Sequence, residues 1–238
     1  MTLAQSPVDV LWTGTEEVRE TVQAVQANLI EHGYVLLPQH RPSESSERVA
    51  ESFGETVTPW EGGLVQRLVP RAVSTPNTYS GNFGLGQFPL HTDLAHWRVP
   101  PRYLLIRCLK GYRDVPTLIL DGRVLSKQIG AETLTRAVVR SRRPQAGEMR
   151  LLRILQREAG EGLLRWDPLY LRPASRIGEI AVADMAKCVA AASPEPAVMA
   201  ENGDTVIIDN WRMLHGRPAI PANRSDRCLE RVYLRSLR

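Results

Sequence analysis

The 238-residue chain has few lysines, few cysteines and no long apolar run, and each shortage removes a class of explanation. Only Lys110, Lys127 and Lys187 are lysines among 30 basic residues. The arginines that make up the rest are spread along the chain, so the net charge of +4 reads as a coding bias and not as a nucleic-acid footprint. Cys108, Cys188 and Cys228 are odd in number and far apart, which excludes a disulfide framework and a paired C-x-x-C zinc knuckle. No stretch approaches the roughly 18 apolar residues of a membrane span, and Met1 to Pro7 lacks the regions of a signal peptide. The expectation is a soluble, cytoplasmic protein with a small-molecule partner and no nucleic-acid or membrane partner.

What is present fits one globular domain over 1–238. A chain of this length buries roughly 70 % or more of its unfolded surface without staples, and no repeat or low-complexity linker divides it. Thr13-Gly14-Thr15-Glu16 has the pattern of a capping box, and Val18, Val22, Val25 and Leu29 then recur at helical spacing until Gly33. Tyr34 to Leu37 reads as a buried strand and Pro42 to Phe53 as a short helix. The segment 57–86, rich in Gly, Pro, Ser and Thr, reads as an active-site loop or lid, with Ser74 to Gly86 as the part that selects the substrate. Strands are predicted at Phe88 to Asp93, Tyr103 to Leu109, Thr117 to Leu120, Arg150 to Gln156, Leu163 to Trp166, Thr205 to Asp209 and Leu229 to Leu234. Most are separated by turns, with helical inserts at 124–139 and 177–192. That rhythm predicts a mainly β antiparallel sandwich or barrel.

The first chemical signal is His91-Thr92-Asp93. Residues i and i+2 of a strand face one side, so an imidazole and a carboxylate can reach one ion. One more histidine would complete a 2-His-1-carboxylate triad with open coordination positions. His32 beside Gly33 and His40 in a polar turn suit capping or surface roles, which leaves His96 and His215. His215 is the better third ligand, because it follows the apolar strand Thr205 to Asp209 and a polar rim. By the same period-two argument Gln87 shares the face of His91 and Asp93 and is a candidate substrate contact. His96 is a second candidate for the pocket wall. Arg217, close to His215, reads either as a partner of the ligand or as half of a surface salt bridge, and the scattered Trp97, Trp166 and Trp211 read as packing residues.

The ordered set His91-Thr92-Asp93, Pro100-Pro101, Gly203-Asp204-Thr205 leading to Asp209-Asn210, His215-Gly216-Arg217, then Arg227 and Arg231, resembles the taurine dioxygenase and clavaminate synthase-like family. The resemblance runs from His32 through Tyr233. It implies a double-stranded β-helix, the cupin-like jelly roll, that binds iron(II), 2-oxoglutarate and O2 and releases succinate and CO2. It also implies hydroxylation of an unactivated C–H bond of a small acidic or amino-acid-like metabolite in a biosynthetic pathway, with desaturation or cyclisation as variants. The retained carboxylate at Asp93 argues against halogenation, whose enzymes in this family replace it with a small residue.

The resemblance further implies that Arg227, twelve residues after His215, holds the distal carboxylate of 2-oxoglutarate, and that Thr117 shares it. Relatives place a Gly-Gly pair before that threonine where this chain has Asp114-Val115-Pro116. Arg231 corresponds to a position where relatives grip a substrate acid group, and on a strand it shares a face with Arg227, Leu229 and Tyr233. Two rival classes use the same triad: an oxygen-independent metal-dependent hydrolase or isomerase, with no need of Arg227, and a non-catalytic jelly-roll sensor.

Overall fold

The computed structural model describes residues 15–59, 62–71, 79–144 and 147–238, with side chains from 21 onward in the first helix and from 81 onward in the third. The predicted cap at Thr13, the side chain of Val18 and residues 72–78 of the predicted lid lie outside what is described. Helix α1 (Thr15–His32) buries Val22, Val25 and Leu29 and stops at Gly33. Gly33 is required there twice over, by its φ of +82° and because a Cβ would stand 2.3 Å from the Met213 sulfur. Strand β1 (Tyr34–Leu37) follows as predicted. Helix α2 (Ser46–Phe53) begins four residues later than the sequence suggests, because the Ser45 hydroxyl caps it by accepting from the Arg48 amide.

The predicted lid is not all loop. It contains the end of β2 (Gly54–Val57), then β3 (Gln66–Leu68) and α3 (Tyr79–Phe83), before β4 (Phe88–His91). Next come β5 (Tyr103–Lys110) and β6 (Thr117–Asp121). The first predicted insert splits at Gly130, whose φ is +96°, into α4 (Gly122–Ile129) and α5 (Ala131–Arg136), and its last residues enter β7 (Val138–Ser141). Arg150 to Gln156 is broken at Ile154 into β8 (Leu151–Arg153) and β9 (Leu155–Glu158). Then come β10 (Glu161–Leu164), β11 (Leu171–Pro173) and α6 (Arg176–Ala191), the second predicted insert. The chain closes with β12 (Glu195–Ala197), β13 (Thr205–Asp209), β14 (Met213–Arg217) and β15 (Cys228–Leu237).

All strand pairs are antiparallel. The large sheet runs β1-β13-β5-β15-β2 with β3 added to β15, and the smaller one runs β12-β6-β14-β4. Leu104 and Ile106 of β5, Val206 and Ile208 of β13, Ile119 of β6, Met213 of β14 and Leu229 of β15 fill the space between them. The alternate residues Leu105, Ile207, Val232 and Leu234 bury the outer face of the large sheet against α1 and α2. Leu120 and Leu214 carry the other face of the smaller sheet into a layer under α4, α5 and α6. Two packed sheets with period-two faces form the expected jelly roll. No helix among the described residues is long and apolar enough to cross a membrane.

Two buried arginines organise the loops around this frame. Arg107 donates to the carbonyls of His40, Arg41 and Glu44 and to the Thr205 hydroxyl, so residues 40–44 fold inward. His40 therefore is not the surface residue its polar neighbours suggest. It is 1 % exposed and packs 5.5 Å from the Phe53 ring. Burial, aided by Arg41 and Arg107, pushes its pKa down to about 3. The folded protein thus keeps His40 neutral while the unfolded chain takes up a proton near pH 6.5. Stability is whole above pH 6.5 and declines as the pH falls toward 3, by about 2 kcal/mol at pH 5 from this group. Thermal unfolding of His40→Leu should fall less steeply than wild type between pH 7 and pH 4.5, and parallel curves would refute the assignment.

Arg165, fully buried, donates to the carbonyls of Arg153, Ala95, Trp97 and Arg98 and to the Gln156 amide oxygen. It thereby holds the segment just after Asp93. Arg165→Met leaves several buried carbonyls unpaired, and urea unfolding should register a loss of about 3 kcal/mol. A loss under about 1 kcal/mol would mean that water replaces these bonds.

Candidate metal and cosubstrate centre

His91 ends β4 and His215 sits in β14, and the two residues face each other directly across the ladder. Their ring centroids are 4.5 Å apart. Ile119 lies opposite His215 on the other side of β14, so Thr117, two residues away on β6, shares the inward face. Gly216 sits at the close approach of β14 to β4, where a Cβ would stand 2.6 Å from the Phe88 carbonyl.

The register slips here. His215 pairs with His91 but Arg217 pairs with Phe88, so two steps on β14 match three on β4. The bulge brings Phe88 as well as His91 to the cavity wall. Gln87 is exposed and is not among the residues that line the cavity, because the extra residue breaks the alternation on which its predicted place rests, and that place is not supported.

Asp93 joins the two histidines, though not by strand periodicity, since β4 ends at His91. Loop contacts place it. The Asp93 amide donates to Asn210 Oδ1 at 2.7 Å, while Asn210 Nδ2 donates to the carbonyls of Asp93 and Pro101, each at 3.0 Å. The Thr92 amide donates to the Trp166 carbonyl at 2.8 Å. Leu94 then turns away with φ of +54°. That turn carries His96 out of the cavity, to pack 5.7 Å from the Tyr170 ring, and its predicted place in the substrate pocket is not supported.

His91, Asp93 and His215 are all buried, and their ligand atoms lie within 4.8 Å of one another. Asp93 Oδ1 is 3.2 Å from His91 Nε2, and Oδ2 is 3.8 Å from His215 Nε2. His91 Nδ1 donates to the Pro89 carbonyl at 3.0 Å, which turns Nε2 toward the site. Burial would push Asp93 up, but Arg231 foremost, then His91 and His215, hold its carboxyl far below the usual range. Burial drives His215 down to about 3, with His91 adding and Asp93 opposing, so the ring is a neutral donor at physiological pH. Burial also depresses His91, but the Asp93 carboxylate outweighs it and the net shift is upward. Two imidazoles and one carboxylate, buried and converging from nearby elements, suit iron(II).

Tyr233 escapes a motif-based reading. Its hydroxyl donates to Asp93 Oδ2 at 3.0 Å, beside Arg231 Nη1 at 2.6 Å. Its shared face with Arg231 is visible in the sequence, but its contact with a residue 140 positions away is not. Gln66 of β3 is likewise unforeseen, and its amide oxygen accepts from Arg231 Nε and Nη2 at 3.1 and 2.7 Å. Arg231 is thus engaged on both sides.

A cavity of about 600 Å³ lies between the sheets, lined among others by His91, His215, Thr117, Arg227, Arg231 and Ile106. Arg227, just before β15, is 5 % exposed, and its Nε is buried without a hydrogen-bond partner. No carboxylate among the described residues pairs with it, and burial first, then Arg217, lowers its pKa to about 10. Arg217 pairs with no acid either. It donates to the carbonyls of Gly84, Gly86 and Pro218, tying the turn between α3 and β4 to the end of β14. Trp166 and Trp211 are buried packing residues, and the Trp211 indole donates to the Pro100 carbonyl.

No protein-family model matches the chain. Solved structures do. Asparagine oxygenase superposes with a TM-score of 0.72 at 17 % identity, over 92 % of this chain and 78 % of that one. The non-heme iron oxygenase OrfP, solved with Fe and α-ketoglutaric acid, gives 0.65 at 22 % over 92 % and 80 %. PvcB from Pseudomonas aeruginosa gives 0.65 at 23 % over 90 % and 79 %. The chain therefore has the jelly-roll fold of these oxygenases, with a buried His-Asp-His cluster facing its cavity.

Proposed function

We propose that this protein is an iron(II)- and 2-oxoglutarate-dependent oxygenase. It hydroxylates an unactivated C–H bond of a small acidic or amino-acid-like metabolite and releases succinate and CO2. The observation that carries this reading is the pairing, in one cavity, of a buried His-Asp-His cluster with a buried arginine that has no carboxylate partner among the described residues. A hydrolase or isomerase has no use for Arg227, whereas a dicarboxylic cosubstrate does. The structural relatives support the reading, since OrfP is solved with succinate and (3S)-hydroxy-L-Arg and asparagine oxygenase with succinate and a hydroxyasparagine.

When bound, iron supplies the open coordination positions at which O2 is activated. The chain's own residues do the rest. The Pro89 carbonyl fixes the tautomer and orientation of His91. Tyr233 and Arg231 hold Asp93 Oδ2, the oxygen on the His215 side, and leave Oδ1 turned to His91. Arg227 and Thr117, on the cavity wall, receive the distal carboxylate of 2-oxoglutarate, where the fork of a guanidinium matches two oxygens. Arg231 receives the acid group of the organic substrate. Phe88, Ile106, Ile220 and Leu229 keep water from the reacting carbon. The compartment we assign is the cytoplasm.

Anaerobic titration with iron(II) and 2-oxoglutarate tests the proposal, because a keto acid chelated to iron(II) gives a weak visible charge-transfer band. The band should form, and air with an accepted acid should release succinate. Absence of both would defeat the reading.

A further inference from the structure

Away from the His-Asp-His cluster, the described wall of the cavity offers an anion several guanidinium groups and offers an organic cation no carboxylate. Arg71, Arg217, Arg227 and Arg231 are among the residues that line it, and no aspartate or glutamate is among the described ones that do. Each acid nearby is already engaged. Asp93 Oδ2 takes a hydrogen bond from Arg231 and another from Tyr233, while Oδ1 faces His91. Asp167 Oδ1 accepts from the backbone amides of Leu169 and Tyr170. Glu230, beside Arg231 in sequence, points to the opposite face of β15 and accepts from the Ser46 hydroxyl at 2.6 Å. Asp226 and Asp114 pair with Lys110 and Arg224 outside the cavity. Between Val57 and Gly86 the only acid is Glu61, which lies outside the described residues.

We infer that the organic substrate is a carboxylic acid without a charged amino group, such as an N-acylated or des-amino acid, and not a free α-amino acid. This rests on the oxygenase reading of the site and narrows it. A carboxylate seated on Arg231 carries its α-substituent only two bonds from the carboxyl carbon. An ammonium there meets guanidinium groups and finds no carboxylate among the described lining residues, while Asp93 Oδ2 already accepts from Arg231 and Tyr233 and Oδ1 faces His91. A cation desolvated without a counter-ion is strongly penalised. An amide or a C–H group at the same position carries no such penalty.

The test uses the whole protein loaded anaerobically with iron(II) and 2-oxoglutarate, so that the charge-transfer band first reports an intact site. Valine, leucine, phenylalanine, glutamine and lysine are then compared, each as the free amino acid, the N-acetyl amino acid, the des-amino acid and the amino amide. Binding is read from perturbation of the band, and coupling from succinate released on adding air. In every carbon skeleton that responds, the N-acetyl or des-amino acid should bind at least tenfold more tightly than the free amino acid, and the amino amides should not bind. Equal or tighter binding of a free amino acid overturns the inference, whether or not a Glu61→Gln variant abolishes it. Failure of every acid while the band persists overturns it too. Failure of the band itself would instead count against the oxygenase reading.

Discussion

His215→Ala will not form the anaerobic charge-transfer band at iron(II) and 2-oxoglutarate concentrations that saturate the wild type, and will release no succinate in air. His215 projects from the middle of a ladder between β4 and β6, with its Nε2 toward Asp93, so no other described side chain can take its place. Its loss should weaken iron(II) by more than the roughly 10- to 100-fold typical of removing a group that merely supports a ligand. Tyr233→Phe provides the scale, because it removes one of two donors to Asp93 Oδ2 and leaves the three ligands in place. Competition with a metal-binding dye should therefore rank wild type, Tyr233→Phe and His215→Ala in that order of affinity. Equal affinities for wild type and His215→Ala would remove His215 from the site.

Arg227→Leu will bind iron(II) as the wild type does and lose 2-oxoglutarate. Removing one partner of a desolvated charge pair costs about 3–5 kcal/mol, a weakening of roughly 100- to 1,000-fold or more. The structure adds a second expectation of opposite sign. Without a cosubstrate, Arg227 is a buried guanidinium with no acidic partner among the described residues and an unpaired Nε, so the folded protein carries a desolvation cost there. Arg227→Leu without cosubstrate should then unfold at a higher temperature than the wild type, while saturating 2-oxoglutarate stabilises only the wild type. A variant that is less stable and still binds 2-oxoglutarate would show that Arg227 has a structural role. Arg231→Leu should behave differently, since it removes both the grip on the substrate acid and the chief electrostatic stabiliser of ionised Asp93.

The longer helices and most long strands were legible in the sequence because local pattern suffices for them, whereas the five-residue α3 was not. Val22, Val25 and Leu29 recur at helical spacing and are buried on one side of α1, and Thr205 to Asp209 is an apolar run that is buried throughout. The short strands β2, β3, β7, β11 and β12 carry too few residues for a period to emerge, and β3 exists because β15 offers it an edge. His40 misleads for the opposite reason. Its neighbours are polar, yet Arg107 collects the carbonyls of residues 40–44 and draws the ring against Phe53.

The site divides in the same way. The sequence alone named the residues that the fold brings to one cavity: His91, Asp93 and His215, whose ligand atoms cluster, and Arg227 and Thr117 on the cavity wall. His91 and Asp93 were read from strand alternation, and Arg227 with Thr117 from the resemblance carried by the ordered motifs. Only the tertiary structure decided what surrounds them. A one-residue bulge leaves Gln87 off the cavity wall, the chain past a left-handed Leu94 packs His96 against Tyr170, Asn210 holds Asp93 past the end of its strand, and Tyr233 with Arg231 occupies Asp93 Oδ2. Each depends on contacts between segments distant in the chain or on a local backbone choice. A bulge or a φ above zero shifts every side chain beyond it, so a face read from alternation holds only as far as the next irregularity.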